Sequence, residues 1–216
     1  MKIFYLNNIP GKWCDEHDKL LKYVSTERKK HVLSYRNDSD KLLSLYAALL
    51  VRYGICNMTD YNGKLTFTSI QNHKTYCNEL SECDFNFAHT DGAILCGITF
   101  AGKVGADIEK INEAPFEIME DVFCKDEIEY INADVSGSDQ RFFEMWTAKE
   151  AYTKCIGIGL VTDIKSINMI EKMNSDNLKI WKEDDYVCSI YFEEDSEFCI
   201  ERVSSEMITK YFDQKN

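Results

Sequence analysis

The apolar positions of the chain change period several times. The opening run, Ile3-Phe4-Tyr5-Leu6, has the length of a first strand. Over residues 40–53 the spacing becomes helical, with Leu42, Leu45, Tyr46 and Leu49 on one face and Gly54 as a stop. A shorter helix is predicted over Glu27–Leu33, and residues 55–82 follow no clear period. Three strand-length runs come next: Phe85–Thr90, Ala93–Phe100 and Val104–Glu109. Asp91-Gly92 and Ala101-Gly102-Lys103 separate them, which predicts an antiparallel meander.

Helical spacing returns after Pro115, through Phe116, Met119, Val122 and Phe123. Ser136-Gly137-Ser138-Asp139 breaks the chain and offers a cap for a helix over Gln140–Ile156, which Gly157 ends. From Ile164 onward the pattern predicts short strands, with Glu183-Asp184-Asp185 and Glu193-Glu194-Asp195 as acidic turns. Each half thus runs from helices to strands, and the fold class is α+β.

Composition narrows this further. The 216 residues are 44% hydrophobic and 29% charged with two prolines, a globular balance that excludes disordered or fibrous classes. No apolar run approaches the roughly 20 residues of a membrane span, and the start lacks a signal-peptide stretch. A cytoplasmic protein without membrane contact is expected. The net charge of −12 disfavours nucleic acid as a partner but permits a small phosphate ligand on a local basic patch. Nine scattered cysteines with no Cys-x-x-Cys read as reduced thiols rather than a zinc site.

Four groups of residues could carry chemistry. Alternation in Val104-Gly105-Ala106-Asp107-Ile108-Glu109 puts Asp107 and Glu109 on one strand face, about 7 Å apart. Carboxylates so placed can share magnesium or manganese, or simply face water. Trp146, Glu150 and Lys154 follow at four-residue steps on one helix stripe, one turn after Phe143. A carboxylate on an aromatic stripe needs compensation, by an ion pair with Lys154 or by a metal. Arg28, Lys29, Lys30, His31, Arg36 and Lys41 form a basic stretch, either a solvated face or a pocket for a polyanion. His89 ends its strand and is structural or functional.

Taken in order, these blocks resemble the 4′-phosphopantetheinyl transferase superfamily. Gly105-Ala106-Asp107-Ile108-Glu109 is similar to Gly-x-Asp-x-Glu, and Trp146-Thr147-Ala148-Lys149-Glu150-Ala151-Tyr152-Thr153-Lys154 to Trp-x-x-Lys-Glu-[Ala/Ser]-x-x-Lys. Phe85-Asn86-Phe87-Ala88-His89-Thr90 resembles the family's Phe-Asn-[Leu/Ile]-Ser-His-[Ser/Thr], with Ala88 where serine is usual. A looser likeness covers 25–52 and 72–76. Chain length fits the long, surfactin-synthetase-activating class.

The resemblance implies two similar halves related by a pseudo-twofold axis, each a small antiparallel sheet with helices. Residues 1–102 would bind the 3′-phosphate and adenine of coenzyme A. Residues 103–216 would carry the magnesium site and the catalytic groups, with the active site in the cleft between. The implied reaction moves the 4′-phosphopantetheine arm of coenzyme A to a serine of an apo acyl or peptidyl carrier protein and releases adenosine 3′,5′-bisphosphate. Asp107, Glu109 and Glu150 would hold Mg2+, or Mn2+, and Lys154 would stabilise the departing phosphate. Glu150, or Glu109 through a metal-bound water, would take the serine proton. Arg28, His31, Ser44, Lys74, His89, Asp107 and Lys154 would bind coenzyme A. The enzyme would act as a monomer and recognise its acidic carrier through local basic patches and an apolar groove. Two other readings compete: a metal-dependent phosphodiester enzyme, and a noncatalytic acidic interaction domain.

Overall fold

A computed structural model describes residues 1–69, 74–158, 163–194 and 197–215. Residues 72 and 73 of the looser likeness and Asp195 of the second acidic turn lie outside the described residues.

Strand β1 (Lys2–Leu6) is followed by helices α1 (Asp15–Leu20), α2 (Thr26–Ser34) and α3 (Asp38–Met58). Strands β2 (Phe67–Ser69), β3 (Thr75–Cys77), β4 (Asp84–Thr90), β5 (Ala93–Thr99) and β6 (Val104–Lys110) come next. Helices α4 (Met119–Val122), α5 (Lys125–Ile131), α6 (Ser138–Ile156) and α7 (Met169–Met173) lead to β7 (Leu178–Glu183), β8 (Tyr186–Phe192), β9 (Cys199–Arg202) and α8 (Ser205–Asp213).

Sheet one has the order β4-β5-β1-β9, sheet two the order β6-β8-β7, and β2 and β3 form a separate pair. Alternation in β1 sends Phe4 and Leu6 to the core under α3, and Ile3 and Tyr5 to a core shared by the two sheets. Val104, Ala106 and Ile108 of β6 enter that shared core beside Ile190 and Phe192. The opposite side of β6 packs on α6, so the layers run helix, sheet, sheet, helix.

Gly105 explains how close the last two layers come. A Cβ there would sit 1.9 Å from the Ala151 carbonyl oxygen and 2.5 Å from the Cys155 nitrogen, both main-chain atoms of α6. Behind α6, Glu127 and Lys149 form a fully buried ion pair at 2.9 Å. Its groups are saturated: Lys149 also donates to the Ile164 and Ile167 carbonyls, and Glu127 accepts from the Cys124 and Met169 N–H groups. Removing either partner strands a buried charge, at about 3–5 kcal/mol.

Several expectations need correction. The meander is broken: β4 and β5 pair, but β6 leaves to head the second sheet. No backbone ladder joins β4 to β6. Instead the Asp84 and Asn86 side chains accept the Val104 and Ala106 N–H groups at 2.7 and 2.9 Å. Gly54 does not stop α3 but lies inside it, where a Cβ would meet Ile98 and Phe4 at 2.5 and 2.7 Å. No side chain of Ser136–Asp139 caps α6; Gly137 takes the cap position at φ +83°, while Asp139 accepts the Ala114 N–H.

The segment after Ile164 is not all strand. A 3₁₀ turn, Ile164–Ser166, and α7 precede β7, and the chain ends in α8. The first half opens on β1, the first strand that Ile3–Leu6 predicts, with the helices after it. Cys199–Asp213, assigned by sequence to 103–216, pairs β9 with β1 in parallel and packs α8 on α3. All nine cysteines are free. No helix among the described residues is long and apolar enough to cross a membrane.

Candidate active site

Where β4, β6 and α6 meet, Phe87, Ala88, His89, Asp107, Glu109, Trp146, Glu150 and Lys154 line a cavity of about 360 Å³. Strand alternation aims Asp107 and Glu109 at α6, whose stripe presents Trp146, Glu150 and Lys154 to them. Lys154 Nζ lies 2.6 Å from Asp107 Oδ1 and 3.6 Å from Glu150 Oε2. Thr90 Oγ1 donates to Glu109 Oε2 at 3.0 Å. Asp107 Oδ2 and Glu150 Oε1 are buried and have no hydrogen-bond partner.

These carboxylates are electrostatically tense. Burial pushes the Asp107 carboxyl up to about 7, against the pull of Lys154 and with the help of Glu109 and Glu150. Burial likewise raises Glu109, with Thr90 and Lys154 acting the other way. His89 is held low, first by burial and then by the charges of Arg28 and Lys154.

The donor set suits a hard cation. It offers carboxylate oxygens, two of them buried and unpaired, in a pocket where negative charge is costly. As placed, no three His, Cys, Asp or Glu side chains among the described residues surround a common metal position. Asp107 and Glu150 meet instead on the Lys154 ammonium.

A second cavity of about 560 Å³ adjoins the first at Phe87, which lines both. Arg28, His31 and Arg52 supply its basic groups. The Arg28 guanidinium lies 5.9 Å from the Phe87 ring centre, and Arg52 lies 4.4 Å from that of Phe67. His89 faces the first cavity, and the charges of Arg28 and Lys154 both act on it.

Two residues of the expected binding set face neither cavity. Ser44 is buried on α3 with its hydroxyl unpaired. Lys74 spends its ammonium on the Asp84 carboxylate and the Val104 carbonyl. Sequence reasoning also passed over Arg52, Phe67 and Thr90. Arg52 had a readable signal: it is a lone cation in the apolar run Leu49-Leu50-Val51-Arg52-Tyr53.

The profile of the 4′-phosphopantetheinyl transferase superfamily matches residues 103–207. The chain is 33% identical to the 4′-phosphopantetheinyl transferase gsp of Aneurinibacillus migulanus, over 66% of this chain and 60% of that protein. It is 32% identical to the L-aminoadipate-semialdehyde dehydrogenase-phosphopantetheinyl transferase of Candida glabrata, over 70% of this chain and 62% of that one. Against the 4′-phosphopantetheinyl transferase Sfp of Bacillus subtilis the identity is 24%, with 72% and 70% covered. The match thus spans about three fifths of the length of the first two relatives. By this profile and these relatives the chain is similar to the 4′-phosphopantetheinyl transferase superfamily.

Proposed function

We propose that the protein transfers the 4′-phosphopantetheine arm of coenzyme A to a serine of an apo carrier protein, as a member of the long, surfactin-synthetase-activating class. The observation that carries this reading is the single cavity holding Asp107, Glu109, Glu150 and Lys154.

In the transfer, the serine oxygen forms a bond to the phosphorus that carries pantetheine, and the anhydride P–O bond breaks. The electron pair leaves with the 5′-phosphate of adenosine 3′,5′-bisphosphate. Lys154, already in the cavity, stabilises that departing charge. The serine proton goes to Glu150 or Glu109; both line the cavity, and the Glu109 carboxyl is raised toward the range a base needs. Asp107, Glu109 and Glu150 would hold Mg2+, or Mn2+ with the same donors. Such an ion neutralises charge on the pyrophosphate oxygens.

Arg28, His31 and His89 hold the 3′-phosphate and adenine end. Lys74 acts at a distance in this reading: it ties β3, which walls the second cavity at Thr75, to Asp84 and Val104. The acidic carrier is met by local basic patches and an apolar groove rather than by net charge.

Incubation with coenzyme A, Mg2+ and an apo-carrier protein tests the reading. Intact-mass analysis should show the added phosphopantetheine arm, and chelation of the metal should stop the addition. Asp107→Ala should abolish transfer while keeping the far-ultraviolet spectrum of the fold. Absence of the added mass with acyl and peptidyl carriers alike, or full transfer by Asp107→Ala, overturns it.

A further inference from the structure

Arg52 occupies an expensive position. It rises from the buried face of α3 among Ala48, Val51 and Tyr53, and its Nη1 donates back to the Ala48 carbonyl at 3.0 Å. Its guanidinium lies over the Phe67 ring on the wall of the 560 Å³ cavity. Arg28 lines the same wall, and among the described residues neither arginine forms an ion pair with a carboxylate. Burial pulls the Arg52 guanidinium down to about 10, and the charge of Arg28 pulls the same way. Two partly desolvated cations that repel each other raise the energy of the free protein. A bound dianion would relieve both, and the planar fork of arginine matches the oxygens of a phosphate.

The cavity offers more than charge. Phe67, Phe85 and Phe87 give it aromatic walls, and Thr68, Ser69 and Thr75 also line it. Such a site suits a phosphate monoester joined to a flat, aromatic group. We propose that Arg52 is a specificity-determining residue that, with Arg28, binds the ribose 3′-phosphate of the nucleotide. This assignment rests on the transferase reading for the identity of the ligand. It adds to that reading a phosphate anchor on α3.

Calorimetric titration with adenosine 3′,5′-bisphosphate and adenosine 5′-monophosphate tests this without any turnover. Wild type should prefer the bisphosphate. Arg52→Met should lose about ten- to a hundredfold in bisphosphate affinity and far less for the monophosphate. Arg52→Lys, which keeps the charge but not the fork, should recover part of the preference. A merely structural arginine would weaken both nucleotides alike, or lower the melting temperature without changing their ratio. Either result, or equal wild-type affinity for the two nucleotides, overturns the proposal. If wild type and variants follow the expected order but no phosphopantetheine arm is ever transferred, the transferase reading fails and the Arg52 assignment stands.

Discussion

Lys154 Nζ sits 2.6 Å from Asp107 Oδ1, across the gap between α6 and β6. The acidic cavity therefore carries a cation of its own, shared with Glu150 at 3.6 Å on the same helix stripe. An exposed pair of this kind would contribute under about 1 kcal/mol and matter little to rate. Here Asp107 is buried and keeps one oxygen unpaired, so the contact balances charge inside a desolvated cavity.

In the proposed transfer both groups act on one pyrophosphate, so Glu150→Gln and Lys154→Met should each lower turnover by about a hundredfold or more. The double variant should lose less than the product of the single losses. Melting temperatures should be compared near pH 6. There Asp107, which burial already raises to about 7 against the pull of Lys154, takes up a proton still more readily once Lys154 is gone. Single-turnover rates within about threefold of wild type for both variants would reduce the trio to structure.

Arg28 and His89 face the two cavities from either side of Phe87. Arg28→Ala or His89→Ala should weaken coenzyme A about ten- to a hundredfold more than 3′-dephospho-coenzyme A, the range of one charged hydrogen bond. Competition of each ligand against a fluorescent coenzyme A derivative would measure it. Equal losses for both ligands would place these side chains away from the 3′-phosphate.

The site was legible in the sequence where one element sets the geometry. Alternation in β6 and four-residue steps in α6 are local rules, and the structure keeps both faces as read. The pairing partners of β6 were not legible. Turn signals at 91–92 and 101–103 mark reversals, yet they do not say whether the next strand joins the same sheet. That choice was made by β8, far along the chain, and by the Asp84 and Asn86 side chains that replace a ladder. Lys74 was placed among the coenzyme A ligands by resemblance, and no local rule pairs it with Asp84, ten residues along the chain. Helix α8 did leave a signal, Ser204 at the cap with Ile208 and Phe212 on the buried face. Its short apolar stripe lay next to strand-like sequence and was absorbed into it.

Gly105 should be among the least replaceable positions for stability. The atoms a Cβ would strike belong to the α6 main chain and have no rotamer to change. Gly105→Ala must push α6 off β6, and that separation would also spread Asp107 from Lys154. The expected cost is about 2 kcal/mol or more, with a matching loss of transfer. Gly54→Ala is the control, since its close neighbours, Ile98 Cδ1 and the Phe4 ring, are side-chain rather than main-chain atoms. Thermal melts should order the variants Gly105→Ala below Gly54→Ala below wild type. A Gly105→Ala melting point within about 1 °C of wild type would disprove the close contact.

His17 links stability to pH. It is 2% exposed, its Nδ1 accepts the Cys14 backbone N–H at 3.0 Å, and its Nε2 is buried without a partner. Burial holds its pKa below the ordinary value, while Glu16, Asp18 and Asp38 act more weakly the other way. A proton therefore binds the unfolded chain more readily than the folded one. The stabilisation is fully present above the unfolded value of about 6.5 and is lost as pH falls below it, toward the lower folded value. Protonation would also remove the acceptor that caps α1. Asp107 works in the opposite sense: its raised pKa favours the folded state as pH falls through about 7. The net slope of wild type is thus a sum, and only a difference isolates His17. His17→Gln should melt lower than wild type at pH 8, from the lost packing. Between pH 7 and 5 it should lose stability less steeply, by up to about 1.4 kcal/mol per pH unit, the limit for one proton. Chemical denaturation at half-unit steps across that window reads the slope. Parallel curves for the two proteins would show that His17 keeps an ordinary pKa in the fold.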